Sequence, residues 1–270
     1  EELSLPVMVC MDGFILTHAY ERIDIPEQAQ VDRYLPPYEP RQVLDPNDPV
    51  TIGAMVGPEA FTEVRYLAHA KQLQALDLLP ELAAEFQQVF GRNSGGLIKP
   101  YQLEDAETVV IALGSVLGTI KDTVDEMRAQ GIKIGVLGIT SFRPFPIEAI
   151  RAVTAHAKRI VVIEKCFAVG IGGIVSRDVR SAVQSRPQQV FAVVAGLGGR
   201  AITKASLHKL LLQAIDDKLE LLTFLDLDWG IVNRVLEREK QQRRSGPVAE
   251  GILRDIGTVS REAPTLSSTA

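Results

Sequence analysis

The sequence has few cysteines and little net charge, and both features exclude classes of function. Its 270 residues include two cysteines, Cys10 and Cys166. They form no Cys-x-x-Cys pair, and because an iron–sulfur cluster needs about four thiolates, this chain alone cannot hold one. We expect both thiols to be reduced, in a cytoplasmic setting, and to be buried and inert. The net charge of −5 argues against a nucleic-acid partner.

Long apolar runs are also missing from the sequence. The longest of them, such as residues 190–197, fall far short of the roughly 20 residues that cross a bilayer, so we expect no membrane partner. The composition, with 46% hydrophobic and 23% charged residues, is that of an ordinary globular protein. A chain of this length can bury one large core or two modest ones.

The beginning of the chain predicts strands. Residues 5–10 are an apolar run closed by the turn formers Asp12-Gly13, which predicts a buried strand. Residues 21–25 alternate between polar and apolar, which predicts a second strand. A domain rarely begins with a core strand unless other polypeptide supplies its neighbours. We therefore expect upstream sequence on the same gene or on another chain.

Helices and a linker are predicted to complete a first part, residues 1–96. A short helix is expected to begin at Pro26, since proline suits the first helical position. Apolar residues recur at helical spacing over residues 58–90 and predict two amphipathic helices, the second beginning at Pro80. The glycine-rich residues 91–96 are the expected boundary.

Regular strand–helix alternation predicts a second part, residues 97–217. Strands that are apolar on both faces imply a parallel sheet covered by helices, hence an α/β fold. The strands are expected at residues 109–113, 132–139, 160–163 and 190–195, and the helices at residues 115–131, 146–157, 173–183 and 203–215. Residues 218–270 are less regular and predict a C-terminal extension and tail. Within it, the charged residues 237–244 suggest a solvated helix end.

Three glycine-containing loops follow strands in the second part, at residues 114–118, 170–173 and 196–200. Amides at a helix N-terminus can hold an anion, and glycine allows a ligand to approach closely. Tight turns and close packing are the alternative explanation. None of the loops has a dinucleotide or Walker pattern. The third loop suits an anion better, because Arg200 stands beside Gly198 and Gly199.

His18 is a further candidate, because it follows Thr17 in a polar cluster after Asp12, at the end of a predicted strand. Ligands bind at strand ends in parallel sheets, although a histidine that is hydrogen-bonded for structural reasons is the alternative. The other three histidines have no partner acids at ligand spacing. The residues alone therefore predict a two-part α/β protein without a complete active site.

Four motifs together resemble a known family. They are Pro6-Val7 with Asp12-Gly13-Phe14 and Thr17-His18, residues 98–107, the run Arg143-Pro144-Phe145-Pro146, and residues 195–200. In this order they resemble the C-terminal part of the alpha chain of thiamin-dependent 2-oxoacid:ferredoxin oxidoreductases, of the pyruvate:ferredoxin oxidoreductase (pyruvate synthase) type. The second part also resembles the C-terminal domain of transketolase-type enzymes, in which a strand ends in glutamate, here Glu164.

The resemblance implies both a fold and an activity. Residues 1–96 would be the end of a pyrimidine-binding domain with a linker, and residues 97–217 a transketolase C-terminal-like domain. The complex would decarboxylate a 2-oxoacid, pyruvate by default, pass electrons to ferredoxin and transfer the acyl group to coenzyme A. Thiamin diphosphate, coenzyme A and [4Fe-4S] clusters would belong to the complex, with none fully bound by this chain. The partners would be a thiamin diphosphate-binding beta subunit, a gamma subunit, a ferredoxin-like delta subunit and ferredoxin.

The resemblance assigns this chain no catalytic residue and no metal ligand. The residues that could contact a cofactor are Asp12, Thr17, His18, Gly198, Gly199 and Arg200. At the third loop, Ala201 stands where the family usually has aspartate, so any role of that acid is lost. Because the prolines make a rigid turn between the parts, we expect Arg143, Pro144 and Phe145 to serve an interface.

Two other classes of function remain open. One is a non-redox thiamin enzyme, either transketolase-like or of the 2-oxoacid dehydrogenase beta type. The other is a non-catalytic module that binds an anion through the glycine loops. The run Arg143-Pro144-Phe145-Pro146 together with residues 195–200 favours the oxidoreductase.

Overall fold

The computed structural model describes residues 1–14, 16–35, 37–40, 42–51, 53–184, 186–241 and 248–257. The chain divides into two compact units, Glu1–Leu225 and Asp226–Ala270. The predicted tail around Pro264 and part of the charged run 237–244 lie outside the described residues.

A six-stranded sheet is the centre of the first unit. Its strand order is β1-β3-β2-β4-β7-β8, with β1 antiparallel to β3 and every other neighbouring pair parallel. The strands of the sheet are β1 Ile98–Tyr101, β2 Thr108–Ala112, β3 Ile134–Ile139, β4 Arg159–Glu164, β7 Gln189–Val194 and β8 Leu222–Phe224. A small hairpin, β5 Phe167–Ala168 with β6 Gly172–Gly173, follows β4.

Helices cover the two faces of this sheet. On one face, α3 and α6 pack through Ile120, Val124 and Leu207, which are fully buried. On the other, α4 and α5 pack through Ile150 and Val179. Burying each such side chain stabilises the fold by about 1.5–3 kcal/mol. The helices are α3 Val116–Ala129, α4 Ile147–Val153, α5 Val175–Ala182 and α6 Lys204–Ile215.

The predicted α/β class with a parallel sheet is confirmed. The four expected strands are β2, β3, β4 and β7, and the four expected helices are α3 to α6. The edge strand β1, the hairpin β5–β6 and the edge strand β8 were not predicted. The three-part division of the chain stays a prediction, although β8 extends the sheet beyond residue 217.

The beginning of the chain differs from the prediction. Residues 5–10 and 21–25 form no strand, and the side chains of Val7, Met8 and Val9 are more than 80% exposed. Both strand predictions are therefore wrong. The physical reason is that no described segment offers these residues a ladder partner or a second layer. The expectation that Cys10 and Cys166 are buried is also wrong, since both are exposed.

Two helices follow this segment along the chain, before the first strand of the sheet. The short helix expected from Pro26 is present as α1 Gln28–Tyr34. Instead of two helices over residues 58–90, a single helix, α2 Phe61–Phe90, contains Pro80 in its interior. Tyr34 contacts the rings of Phe86 and Phe90 edge-on, with centroids 5.9 and 5.3 Å away. These aromatic contacts attach α1 to the end of α2.

The second unit contains two described helices, α7 Trp229–Gln241 and α8 Val248–Asp255. Arg238 of α7 donates two hydrogen bonds to the carboxylate of Asp255, at 2.8 and 3.2 Å. Across the described ranges of both units, no helix combines the length and the apolar character needed to cross a membrane.

Candidate functional site

The carboxyl edge of the sheet is the candidate site. The parallel strands β2, β3, β4 and β7 all end there, and each is followed by a loop that carries a sequence motif. The helix after β2 packs on one face, whereas the helices after β3 and β4 pack on the other. In open α/β sheets, ligands bind outside the carboxyl ends at such a change of side. Hereafter, the carboxyl edge means the loops 113–115, 140–146, 165–174 and 195–203 together.

Asp12 reaches the first of these loops. The backbone N–H of Ser115 donates to Oδ2 of Asp12 at 2.5 Å, immediately before α3. Hydrogen bonds from Ser115, with a smaller contribution from the charge of Lys165, lower the pKa of Asp12 below its ordinary value. A Cβ on Gly114, whose φ is +78°, would lie 2.8 Å from the same carboxylate oxygen. The structure therefore joins a predicted site residue to a predicted glycine loop.

Thr17 and His18 follow in an exposed turn. Oγ1 of Thr17 lies 3.1 Å from Nδ1 of His18, and the His18 N–H donates to the Phe14 carbonyl at 2.9 Å. The rings of Phe14 and His18 stack with centroids 4.8 Å apart. These described contacts are local, so the structure places the two residues after Asp12 without joining them to the loops.

Glu164 holds the start of α5 at the end of β4. Its buried carboxylate accepts hydrogen bonds from three successive amides, those of Ile174, Val175 and Ser176, at 2.7–3.0 Å. A Cβ on Gly173 would collide with this carboxylate, so the close approach requires glycine. The sequence resemblance pointed to Glu164 without giving it a role. Here it neutralises the unpaired donors of a helix N-terminus.

The third glycine loop forms a tight turn after β7. Gly196, Gly198 and Gly199 have φ of +74°, +63° and +80°, which favour glycine. The Gly199 N–H donates to the Gly196 carbonyl, and a Cβ on Gly196 would lie 2.9 Å from Cε of Lys165. Arg200 follows, with its side chain exposed. The loop thus packs beside the residue after β4, as part of the same edge.

Arg143 is held within the chain. Its guanidinium donates to Oδ2 of Asp178 at 2.8 Å and to the Phe142 carbonyl at 2.7 Å. It also lies over the Phe142 ring, 4.1 Å from the ring centre. The peptide bond to Pro144 is cis, and the Ser141 hydroxyl donates to the Pro144 carbonyl at 2.9 Å. The expected interface role of Arg143, Pro144 and Phe145 stays a prediction.

Two of the helix N-termini at the carboxyl edge, those of α3 and α5, already hold the chain's own carboxylates, Asp12 and Glu164. These two N-termini therefore do not fit a diphosphate group. Within the described ranges, His, Cys, Asp and Glu side chains form no group of three that could hold a metal ion. A surface groove of about 740 Å³ is lined mostly by residues of α6, from Lys204 onward, together with Glu126 of α3.

Comparisons with known proteins identify relatives of both parts. The model of "pyruvate flavodoxin/ferredoxin oxidoreductase, thiamine diP-bdg" matches residues 1–82. That of "pyruvate:ferredoxin oxidoreductase core domain II" matches residues 106–207. The chain is 44% identical over 213 residues to pyruvate synthase subunit PorA of Methanosarcina barkeri, covering 78% of this chain and 53% of that protein. It is 36% identical over 209 residues to PorA of Methanothermobacter thermautotrophicus, covering 77% and 54%.

A solved structure is also similar, at lower identity. The 2-oxoglutarate:ferredoxin oxidoreductase from Magnetococcus marinus, with 2-oxoglutarate, coenzyme A and succinyl-CoA bound, shares 18% identity with a TM-score of 0.42. The match covers 61% of this chain and 24% of that one. The chain spans about half the length of the PorA relatives that it matches.

Proposed function

Because the chain belongs to the 2-oxoacid:ferredoxin oxidoreductase family, where it matches alpha-type subunits, we propose that it works within a pyruvate synthase-type complex. The complex would oxidatively decarboxylate pyruvate, form an acyl-coenzyme A and reduce ferredoxin. The observation that carries the proposal is the ordered match of two family models over residues 1–82 and 106–207. The signature residues Asp12 to His18, Arg143 to Pro146 and Gly196 to Arg200 all fall within these ranges.

We propose that this chain organises the complex and contributes no step of the chemistry. The carboxylates of Asp12 and Glu164 occupy two of the helix N-termini at the carboxyl edge, which supports a thiamin diphosphate site built mainly by a beta subunit. Two cysteines cannot ligate a [4Fe-4S] cluster, which supports clusters on a ferredoxin-like delta subunit. Coenzyme A, a gamma subunit, the electron acceptor ferredoxin and a cytoplasmic location complete the proposal.

The candidate contact residues are part of this proposal. Asp12 lies at the carboxyl edge, and Thr17 and His18 follow it closely in an exposed turn, where a cofactor on a partner could meet them. Gly198, Gly199 and Arg200 are exposed on the loop after β7. Arg143, Pro144 and Phe145 are proposed as subunit contacts, since the exposed guanidinium is fixed in place by Asp178.

Activity of the assembled complex tests the proposal. The chain would be produced with the polypeptides encoded beside its gene, and reduction of a low-potential acceptor would be followed with pyruvate and coenzyme A. We expect reduction that requires both compounds and that falls when 2-oxoglutarate or a branched-chain 2-oxoacid replaces pyruvate. Decarboxylation or ligation of pyruvate without reduction of the acceptor would support a non-redox thiamin enzyme instead.

Calorimetry tests which chain of the complex binds thiamin diphosphate. We expect the isolated chain to show no tight binding of thiamin diphosphate, because its own carboxylates occupy the N-termini of α3 and α5 at the carboxyl edge. The full complex, titrated in parallel, is the control that should bind. Tight binding by the isolated chain would contradict the proposed placement of the diphosphate on a partner.

A further inference from the structure

The contact between Asp12 and Ser115 joins positions 103 residues apart. We propose that Asp12 is a positioning residue whose carboxylate docks the first 25 residues onto the Gly114-Ser115 loop, so that the Phe14–His18 turn is held at the carboxyl edge. The occupant of this loop is then the chain's own side chain rather than a separate anion. The inference goes beyond the proposed activity, since it concerns how the chain positions its own N-terminal segment.

The Gly114-Ser115 loop is shaped to receive a carboxylate. The Ser115 N–H lies at the beginning of the 14-residue helix α3, where unpaired amides and the helix dipole favour a negative charge. Gly114 has a φ of +78°, and its missing Cβ leaves space for both carboxylate oxygens, which would lie 2.8 and 3.0 Å from a Cβ there. Lys165, which follows β4, adds a positive charge nearby. Two loops of the carboxyl edge, residues 113–115 and 165–174, thus act on the Asp12 side chain.

The rest of the N-terminal segment has little to hold it. Residues 1–14 and 16–25 include no helix or strand, and most of their side chains are exposed. Of these described residues, two accept hydrogen bonds from positions beyond the segment: Asp12 from the Ser115 N–H, and Asp24 from the Arg92 guanidinium at 2.8 Å. Asp24 is 91% exposed, so its ion pair contributes little. The Asp12 contact is therefore the main attachment on the N-terminal side of the turn at Phe14–His18.

Proline at position 115 offers a selective test. Ser115 has a φ of −68°, which proline adopts, and the N–H that proline lacks is the one that Asp12 accepts. Ser115→Pro should therefore remove the contact and leave α3 intact, whereas Ser115→Ala keeps the amide. Hydrogen exchange of peptides covering residues 5–25, measured on the full chain as it is isolated, reports the attachment. We expect about fivefold faster exchange in Ser115→Pro and Asp12→Ala, and an intermediate change in Ser115→Ala, which loses the hydroxyl that also stabilises the Asp12 carboxylate but keeps the amide.

The double variant decides between a direct contact and two separate effects. If Asp12 acts through the Ser115 amide, Asp12→Ala combined with Ser115→Pro should exchange no faster than either single variant. Peptides from β2 and β4 should exchange unchanged in all variants, which controls for loss of the sheet. Multiplied effects in the double variant, or unchanged exchange in Asp12→Ala with the sheet intact, would overturn the inference. If Ser115→Pro unfolds the sheet, the test rests on Asp12→Ala and on Asp12→Asn, since asparagine keeps the shape of the side chain without its charge. Hydrogen exchange of residues 5–25 is compared in these two variants in the same way.

Discussion

The sheet of the first unit and the segment that precedes it are both rich in apolar residues, yet the chain buries them very differently. The strand β2 is buried along its whole length, whereas Val7, Met8 and Val9 are more than 80% exposed. The strands β2, β3, β4 and β7 have partners within the same stretch of sequence, since the chain after each of them forms a helix that returns to cover the sheet. The first segment has no such partner among the described residues. An apolar run predicts burial only when the sequence also provides the neighbouring strands and helices that cover it.

Matched truncations in the two regions should give the largest difference in stability. Leu137→Ala removes a fully buried side chain from β3 and should lower the free energy of unfolding by about 2–5 kcal/mol, since a cavity remains. Val9→Ala, at a position 88% exposed, should change it by less than about 0.5 kcal/mol. Urea unfolding followed by circular dichroism measures both. Equal losses would show that the first segment is buried as deeply as the sheet.

Removing the carboxylate of Glu164 should have the next largest effect. Glu164→Ala leaves three amides at the start of α5 without an acceptor, at a position that is 6% exposed, and should cost about 1.5–3 kcal/mol. Glu164→Gln retains one carbonyl acceptor and should lose less. The same urea experiment ranks the two variants. Equal stability of the two variants would mean that the carbonyl oxygen retained in Glu164→Gln contributes nothing, whereas Glu164→Gln as stable as the native chain would mean that the charge and the second oxygen contribute nothing.

Arg143→Ala tests the loop between β3 and α4 and should change stability only slightly. The ion pair with Asp178 is partly exposed, so its loss should cost less than about 1 kcal/mol. If the interface proposal holds, co-purification of partner subunits should fall while the Michaelis constant for pyruvate stays unchanged. Asp178→Ala, which removes the ion pair but leaves the Arg143 side chain in place, is the control. A changed Michaelis constant with intact assembly would count against the interface.

The smallest effect concerns the pH dependence of the Asp12 contact. Hydrogen bonds from Ser115 lower the pKa of Asp12 in the folded chain below the ordinary 3.8, so the contact stabilises the folded state above that value. The contribution is lost as the pH falls through the lower, folded-state pKa. Carboxyl ¹³C shifts of labelled aspartate should show a midpoint below 3.8 that moves up towards it in Ser115→Pro. An unchanged midpoint in Ser115→Pro would show that the contact with Ser115 is not what lowers the pKa of Asp12.

The elements that were predicted correctly from the sequence are those covered by segments close to them in the chain. The strands β2, β3, β4 and β7 are apolar along most of their length and alternate with amphipathic helices, so two patterns agreed for each. The edge strand β1 was missed because Lys99 and Pro100 interrupt its apolar character, and β8 because three residues are too short for any period. The continuous helix α2 was missed because proline usually marks the start of a helix, whereas Pro80 lies inside this one.

The candidate site was predicted only in pieces. The Asp12-Gly13 turn, the glycine at position 114 and the helix start at Ser115 were each read from local patterns. Their contact was not predicted, because a single sequence carries no signal that pairs residues 103 positions apart. Glu164 had a weak signal, a charged residue at the end of a buried strand. Its three amide partners could be found only once the direction of α5 was known.

The outer strands of the sheet have a consequence for aggregation and for assembly. At one border, β1 presents Pro100, which has no N–H to donate, beside an exposed lysine, Lys99. At the opposite border, β8 is three residues long. Proline, lysine and short length each discourage the addition of a foreign strand, which is how natural sheets avoid joining into fibres. A polypeptide that associates with this unit is therefore expected to meet its helices and loops, and not to continue its backbone ladder.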